Sequence, residues 1–334
     1  MKTSAARPEG LKAGGQAVIE GVMMRTPHSA AVAVRAPGGK ILARKMKMTQ
    51  LTEKGGLWAK PVFRGAAVLM DTLRLGMKAL SWSAEVAEMG SGNENGPSKR
   101  TGDGAGTFLS TAMAVVLAMI LFAWLPLQGS KWLLEPGGTT GPMGQFAVHL
   151  LAGVFRIAAF LVYVASISLI PDIRRIFIYH GAEHQTIHAW EKGLEPLADA
   201  AEKESPLHQR CGTSFLLLVM LGAVVFYGIL DSLVILVTGS NPSAVVRVLY
   251  HLPMMPLVMG LSYEVLKVAD RYLETSVLAR MVTAPGLLLQ KMTTRKAGLP
   301  EVEVALASLR LALGEDPGEG VTVLESKGDP DERG

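Results

Sequence analysis

Cysteine is nearly absent. Cys211 is the single one in 334 residues, which excludes an intrachain disulfide framework and suits a cytoplasmic face. The N-terminus opens Met1-Lys2-Thr3-Ser4 and stays polar, without the apolar core of a signal peptide. No glycine loop has phosphate-binding spacing, so nucleotide chemistry is unsupported. No Ser/His/Asp order stands out, and no internal repeat marks a transporter of the inverted-repeat kind. Charged residues make up only 19% of the chain, with a formal net charge of +4. That excess is what Lys and Arg in cytoplasmic loops produce, so nucleic acid is not an expected partner.

What is abundant is apolar: 49% of residues, gathered into a few long runs. These predict a polytopic α-helical membrane protein with about four transmembrane helices. The spans are expected at 108–126, 146–170, 215–237 and 244 to about 266, the last kinked by Pro253 and Pro256. His149, Arg156, Asp231, Arg247 and His251 fall inside them. Charges in hydrocarbon are costly, so these should face inward and pair, most simply Arg156 or Arg247 with Asp231. An ion path and a structural pair that fixes helix rotation are both open readings.

Loop charges give an orientation. The 128–145 and 238–243 connections carry between them only Lys131, whereas the 171–213 loop carries Arg174, Arg175, Lys192, Lys203 and Arg210. The positive-inside rule then puts both termini and that loop, Ala198 included, in the cytoplasm and Gly138 outside. The location expected is a bacterial inner membrane.

The segments outside the spans read as follows. Residues 1–13 are an unstructured N-terminus, and 14–89 form a small cytoplasmic β unit followed by an amphipathic helix. In the β unit, residues 31–34 and 40–43 flank Pro37-Gly38-Gly39 as a hairpin, with a further strand over 16–25. The helix after Pro61 carries Arg64, Asp71, Arg74 and Lys78 among its apolar residues, which favours an interfacial over a spanning position. Residues 90–106 are a flexible linker and 107–273 the membrane domain. Residues 274–313 are amphipathic helices, the last with Val302, Leu306, Leu309 and Leu313 in one stripe. The acidic, Gly-rich 314–334 is a disordered tail.

Chemistry concentrates in the 171–213 loop, which holds His180, His184, His188, His208 and Cys211. On a helix His180, His184 and His188 project from one face, with Glu183 beside them. His180-x-x-Glu183-His184 has the form of the inverted zincin motif, two histidines binding zinc and a glutamate activating water. The metal reading takes His180, His184 and His188 as ligands, with His208, Cys211 or Glu264 completing the shell. Glu183 is then the catalytic base, and Zn the expected ion. Glu264 should emerge from the last span at the depth of these histidines, its carboxylate within about 6 Å of them, near enough for a metal or water bridge. The competing reading is a polar helix whose histidines bond to backbone carbonyls and lipid head groups, with Glu264 paired to Lys267 or reaching water. Glu20 and Arg25, among Gly14, Gly15 and Gly21, read as a docking surface for the histidine loop.

Gly14-Gly15-Gln16-Ala17-Val18-Ile19-Glu20-Gly21-Val22-Met23-Met24-Arg25, the His180–His188 run, Arg210-Cys211-Gly212-Thr213-Ser214-Phe215 and Gln290-Lys291-Met292-Thr293-Thr294-Arg295 occur in order. Together they resemble the YqhQ-like bacterial membrane proteins, a domain-of-unknown-function family, from about Gly14 to Leu313. The resemblance implies a membrane protein of the kind labelled a predicted metal-dependent enzyme. Two functions are therefore expected in competition. One is a metal-dependent hydrolase acting on a membrane-associated substrate. The other is a non-enzymatic scaffold or ion-responsive regulator. The partners expected are the lipid bilayer and a membrane-associated protein or peptide; nothing in the sequence bears on oligomeric state.

Overall fold

The computed structural model describes residues 12–48, 50–60, 63–89, 104–135, 141–194, 197–209, 211–273 and 275–324. Four strands open the chain: β1 (Gly14–Val18), β2 (Gly21–Arg25), β3 (Ala30–Arg35) and β4 (Ile41–Met46). The run expected as one strand over 16–25 is folded back at Ile19-Glu20, so that Val18 pairs with Gly21. A two-residue turn of this kind needs left-handed backbone, and Glu20 supplies it at φ 52°. The hairpin around Pro37–Gly39 forms as the sequence indicates, Arg35 facing Ile41. The tail is not wholly disordered: β5 (Val321–Val323) adds parallel to β4, extending the order to β1-β2-β3-β4-β5.

Strand alternation gives this sheet two apolar faces. Val22, Met24, Ala31 and Ala33 pack on α10 (Leu299–Leu313) and α5 (Pro171–Glu191). Val18, Met23, Val32 and Val34 pack on Leu75, Ala79, Trp82 and Val86 of α1 (Phe63–Glu88). A sheet too small to stand alone is thus sandwiched between helices. It is for this reason that α10 buries far more than one stripe: Val304, Ala305, Ala307, Ser308 and Leu311 are buried as well as Val302, Leu306 and Leu309. The Ser308 hydroxyl accepts from Met24 N–H and donates to Ala31 C=O, each at 3.0 Å, and so joins two residues that face each other across β2 and β3.

Among the described residues four helical stretches are long and apolar enough to cross a membrane: Leu109–Leu134, Met143–Ile167, Gly212–Thr238 and Val245–Arg271. They comprise α2 (Gly104–Met119) running through a π-turn (Ile120–Trp124) into α3 (Leu125–Leu134), then α4 (Pro142–Ile167), α7 (Gly212–Thr238) and α8 (Ala244–Arg271). The π-turn has a local cause. Pro126 has no N–H to give the Phe122 carbonyl, and the N–H of Leu125 reaches back to Ile120 instead. The freed carbonyl of Phe122 accepts from Arg156 Nε at 3.2 Å. Arg156 therefore hydrogen-bonds the first of these stretches, and Arg247 is the arginine within ion-pair distance of Asp231. Asp231 sits among His251 (2.8 Å), His149 (3.3 Å), Arg247 (3.6 Å) and the Tyr250 hydroxyl, as expected for an inward-facing charge.

After the spans, α6 (Leu197–Lys203) follows α5 within the histidine loop, and α9 (Val277–Thr293) follows α8. The first of the amphipathic helices expected over 274–313 is α9. That helix carries Pro285 in its interior and buries Thr283, Gly286, Leu289 and Gln290, with Gly286 against Ser214 at the start of α7. The expected linker lies outside the described residues over 90–103, as do residues 1–11 and 325–334.

Ser308→Ala removes two buried hydrogen bonds between α10 and the sheet. It is expected to cost about 2 kcal/mol and lower the thermal midpoint of the purified protein. An unchanged melt would show that the hydroxyl carries none of this joint.

Candidate metal centre

α5 is buried through its second half although the sequence there is polar: Glu183, His184, Gln185 and Thr186 are successive buried residues. Buried polar groups must find partners, and here the neighbouring backbone provides most of them. Gln185 accepts from Ala297 N–H at 2.8 Å and donates to the carbonyls of Ala201 (3.1 Å) and Glu202 (3.0 Å). The chain at Arg295 lies so close to α5 that a Cβ on Gly181 would collide with the Arg295 carbonyl. Only glycine admits that approach.

The histidines use the same resource. His180 Nδ1 lies 2.8 Å from Thr293 O, and His184 Nδ1 lies 2.6 Å from Pro206 O. A carbonyl only accepts, so both rings donate from Nδ1, and each neutral imidazole is left with its lone pair on Nε2. The two Nε2 atoms turn to the same side. His180 Nε2 meets Cys211 Sγ at 3.2 Å, and Thr213 Oγ1 lies 3.2 Å beyond on the same sulfur. His184 Nε2 is buried with no hydrogen-bond partner. One donor atom from each of His180, His184 and Cys211 lies within 4.8 Å of the others. Ideal tetrahedral Zn donors stand roughly 3.3–3.6 Å apart, so the trio is slightly open but of the right chemistry: two imidazoles and a thiol. Carbonyl bonds at the far nitrogens are how metal-ligating histidines are usually held.

Electrostatics agree with the geometry. Burial alone would push the Cys211 thiol up, but the neighbouring His184 and the hydroxyl and N–H of Thr213 outweigh it and hold the thiol below its ordinary value. The His184–Cys211 approach falls short of a hydrogen bond, and it favours the thiolate only when His184 carries a proton on Nε2. Burial, reinforced by His180, lowers the pKa of His184 and keeps it neutral, the form a metal needs. Glu183 is pushed up to about 8, chiefly by burial, with Cys211 adding to the shift and His180 and the Gly15 N–H opposing it. Its Oε2 is buried without a partner. Gly15 of β1 lies against the Glu183 side chain, where an added Cβ would stand 3.0 Å from Cδ.

Three expected ligands are placed elsewhere. His188 donates from Nε2 to Leu207 O at 2.8 Å and packs against His208 with the rings tilted by 57°, centroids 4.7 Å apart. The reason is helical pitch: eight residues climb about 12 Å, beyond the reach of one ion. His208 lies 3.8 Å from Glu191, and its N–H donates to Gln290 Oε1 at 2.8 Å. Glu264 is clasped by Arg64 of α1, whose Nε and Nη2 donate to its two oxygens at 2.6 Å each. It does not join the donor trio. The docking surface divides likewise. Glu20 is bound by Arg175 and by the Tyr179 hydroxyl of α5, while Arg25 points away to Thr72 of α1 at 2.9 Å. The competing expectation that the histidines bond to backbone carbonyls holds for His180, His184 and His188, but which carbonyls they find, and the N–H of Gly15 at Glu183, leave no mark in residue identity.

Residues 60–315 match the profile of a family described as "Protein of unknown function (DUF1385)". Over 299 residues the chain is 29% identical to "Uncharacterized protein YqhQ" of Bacillus subtilis (strain 168), covering 88% of this chain and 90% of that protein. No solved structure gives a significant match.

The raised Glu183 value has a consequence for stability. A carboxyl that binds its proton more tightly when folded stabilises fully below about 4.5, and that contribution is lost as pH rises through about 8. Metal-free protein should therefore melt at falling temperature across this window, and Glu183→Gln, which stays neutral, should flatten the fall. Parallel curves for the two proteins would show that Glu183 does not titrate there.

Proposed function

The chain belongs to the DUF1385 family, which carries no assigned activity, and from its geometry we propose a membrane-anchored, metal-dependent hydrolase working at the cytoplasmic surface of a bacterial inner membrane. One observation carries the reading: His180 and His184 each spend Nδ1 on a carbonyl and bring Nε2 to Cys211. Three protein donors leave a fourth tetrahedral position for water, the arrangement of catalytic rather than structural zinc sites. A zinc ion held there supplies Lewis acidity to that water. Glu183, next to His184 on the same helix turn and with one oxygen unpartnered, is protonated at neutral pH in the metal-free protein. A bound cation would draw its raised pKa of about 8 down, and the carboxylate would then take the water's proton and return it to the leaving group. Gly15 lets β1 press on Glu183 and hold it in place.

A second reading has its own support. His184, Glu183 and Cys211 are all buried, and the cleft of about 1120 Å³ beside the N-terminal sheet is lined by none of them. A closed site of this sort fits an ion that fixes α5 to the start of α7 in a scaffold or regulator. Metal analysis and turnover distinguish the two. Protein purified without chelator should hold about one zinc per chain. His180→Ala, His184→Ala and Cys211→Ser should each lower affinity at least about tenfold, whereas His188→Ala and Glu264→Gln should keep the metal. Glu183→Gln that keeps zinc but loses hydrolysis of a membrane-associated substrate supports the enzyme. Zinc-free protein that is fully folded and functional in cells overturns both readings.

The orientation rests on the basic residues of the 171–213 loop. With Cys211 replaced by Ser, a cysteine at Gly138 should react with an impermeant thiol reagent in intact cells and one at Ala198 should not. The opposite pattern would move the metal centre outside the cell.

A further inference from the structure

A cleft of about 1120 Å³ opens between the N-terminal sheet, α1, the last turns of α8, and α9. It is the size of a generous ligand site, since small-molecule pockets usually run to roughly 300–1,000 Å³. It lies apart from the metal centre, and its two kinds of wall ask for an amphiphile. On one side α1 presents Leu73 and Met77, 57% and 62% exposed, towards Leu266 and Leu273. On the other, the charge is lopsided. Among the described residues six basic side chains line the cleft (Lys12, Arg25, Lys47, Arg74, Lys78 and Lys267) against two acidic ones, Asp71 and Asp270.

The acids are already engaged. Asp270 pairs with Lys12 at 2.8 Å, and Asp71 accepts from Leu51 N–H at 2.7 Å. Arg25 has no comparable partner: it is half-buried at the end of β2, donates only to the Thr72 hydroxyl at 2.9 Å, and feels the charge of Asp71 without forming an ion pair with it. A guanidinium partly withdrawn from water keeps donors to spare there, and a phosphate oxygen matches both its charge and its fork of donors. Depth decides the source of that phosphate. Leu266 and Lys267 lie in the final turns of the span Val245–Arg271, where an apolar wall passes into a basic one over a few residues. This is the level at which lipid head groups meet hydrocarbon.

We propose that this cleft binds one anionic phospholipid from the surrounding bilayer, its phosphate on Arg25, Arg74 and Lys267 and its acyl chains along Leu73 and Met77. The site is independent of the metal reading, and the test is built to keep the two apart. Full-length protein in non-ionic detergent, treated with chelator, is titrated with fluorescent phosphatidylglycerol, with phosphatidylcholine of the same chains, and with inorganic phosphate. Phosphatidylglycerol should bind at one per chain, at least about tenfold more tightly than phosphatidylcholine, and millimolar phosphate should not displace it. Arg74→Gln combined with Lys267→Gln, both exposed and so compatible with folding, should weaken binding at least about tenfold; Arg25→Gln should do the same. Equal affinity for the two lipids, or unchanged binding by the Arg74/Lys267 double variant, overturns the proposal. Displacement of the lipid by inorganic phosphate also overturns it, in favour of a free-anion site.

Discussion

A helix that buries Glu183, His184, Gln185 and Thr186 in succession can persist only if its surroundings are built to receive them, and α5 sets this condition for the part of the molecule outside the four long apolar helices. Two irregular stretches meet it with backbone. One runs through Thr293, Arg295 and Ala297, where Arg295 N–H donates to Phe177 O at 2.9 Å and the chain then turns into α10. The other, at Pro206 and Leu207, gives its carbonyls to His184 and His188. Gln290 fastens the two together by bonding both the N–H and C=O of His208 and the hydroxyl of Ser214. Neither stretch could lie where it does without α5, and α5 would carry unsatisfied groups without them.

That mutual dependence explains which parts of the structure were legible in the sequence. The four spans were, because hydrocarbon thickness imposes a length on apolar runs that needs no tertiary knowledge. So was the Pro37–Gly39 hairpin, whose turn residues carry the conformation. Within the site, His180 and His184 were legible as one pair, since the i, i+4 relation survives in any helix. Extending it to His188 neglected the rise along the axis. Cys211 was one of several choices for a third donor, because nothing in residue order says which loop residue returns to the helix. Glu264 shows the limit most clearly. Its depth in the last span could be estimated, but Arg64, its partner 200 positions away, was visible only as a charge that disfavoured spanning.

Inside the bundle, polar residues repair backbone and fix rotation. Pro126 unties a carbonyl on the first span, and Arg156 of the second ties it again, so a helix-breaking residue and an expensive intramembrane cation account for each other. Asp231 gathers His149 from α4 and Tyr250, His251 and Arg247 from α8, a set that only one rotational setting of these helices can satisfy. Polar groups of this type contribute specificity in a medium where apolar contacts between helices are nearly interchangeable with lipid.

The order in which the sheet is covered bears on how the protein is made. β1 to β4 leave the ribosome first, yet one of their faces is closed by α10 and their edge by β5, both near the end of the chain. His180 likewise waits for Thr293 before its ring is oriented. For most of synthesis, then, an apolar sheet face stands open, and the His180 ring has nothing to orient it until Thr293 has been made. Closure of the sheet and completion of the His180, His184 and Cys211 trio are late events, and the strands that come first wait for them.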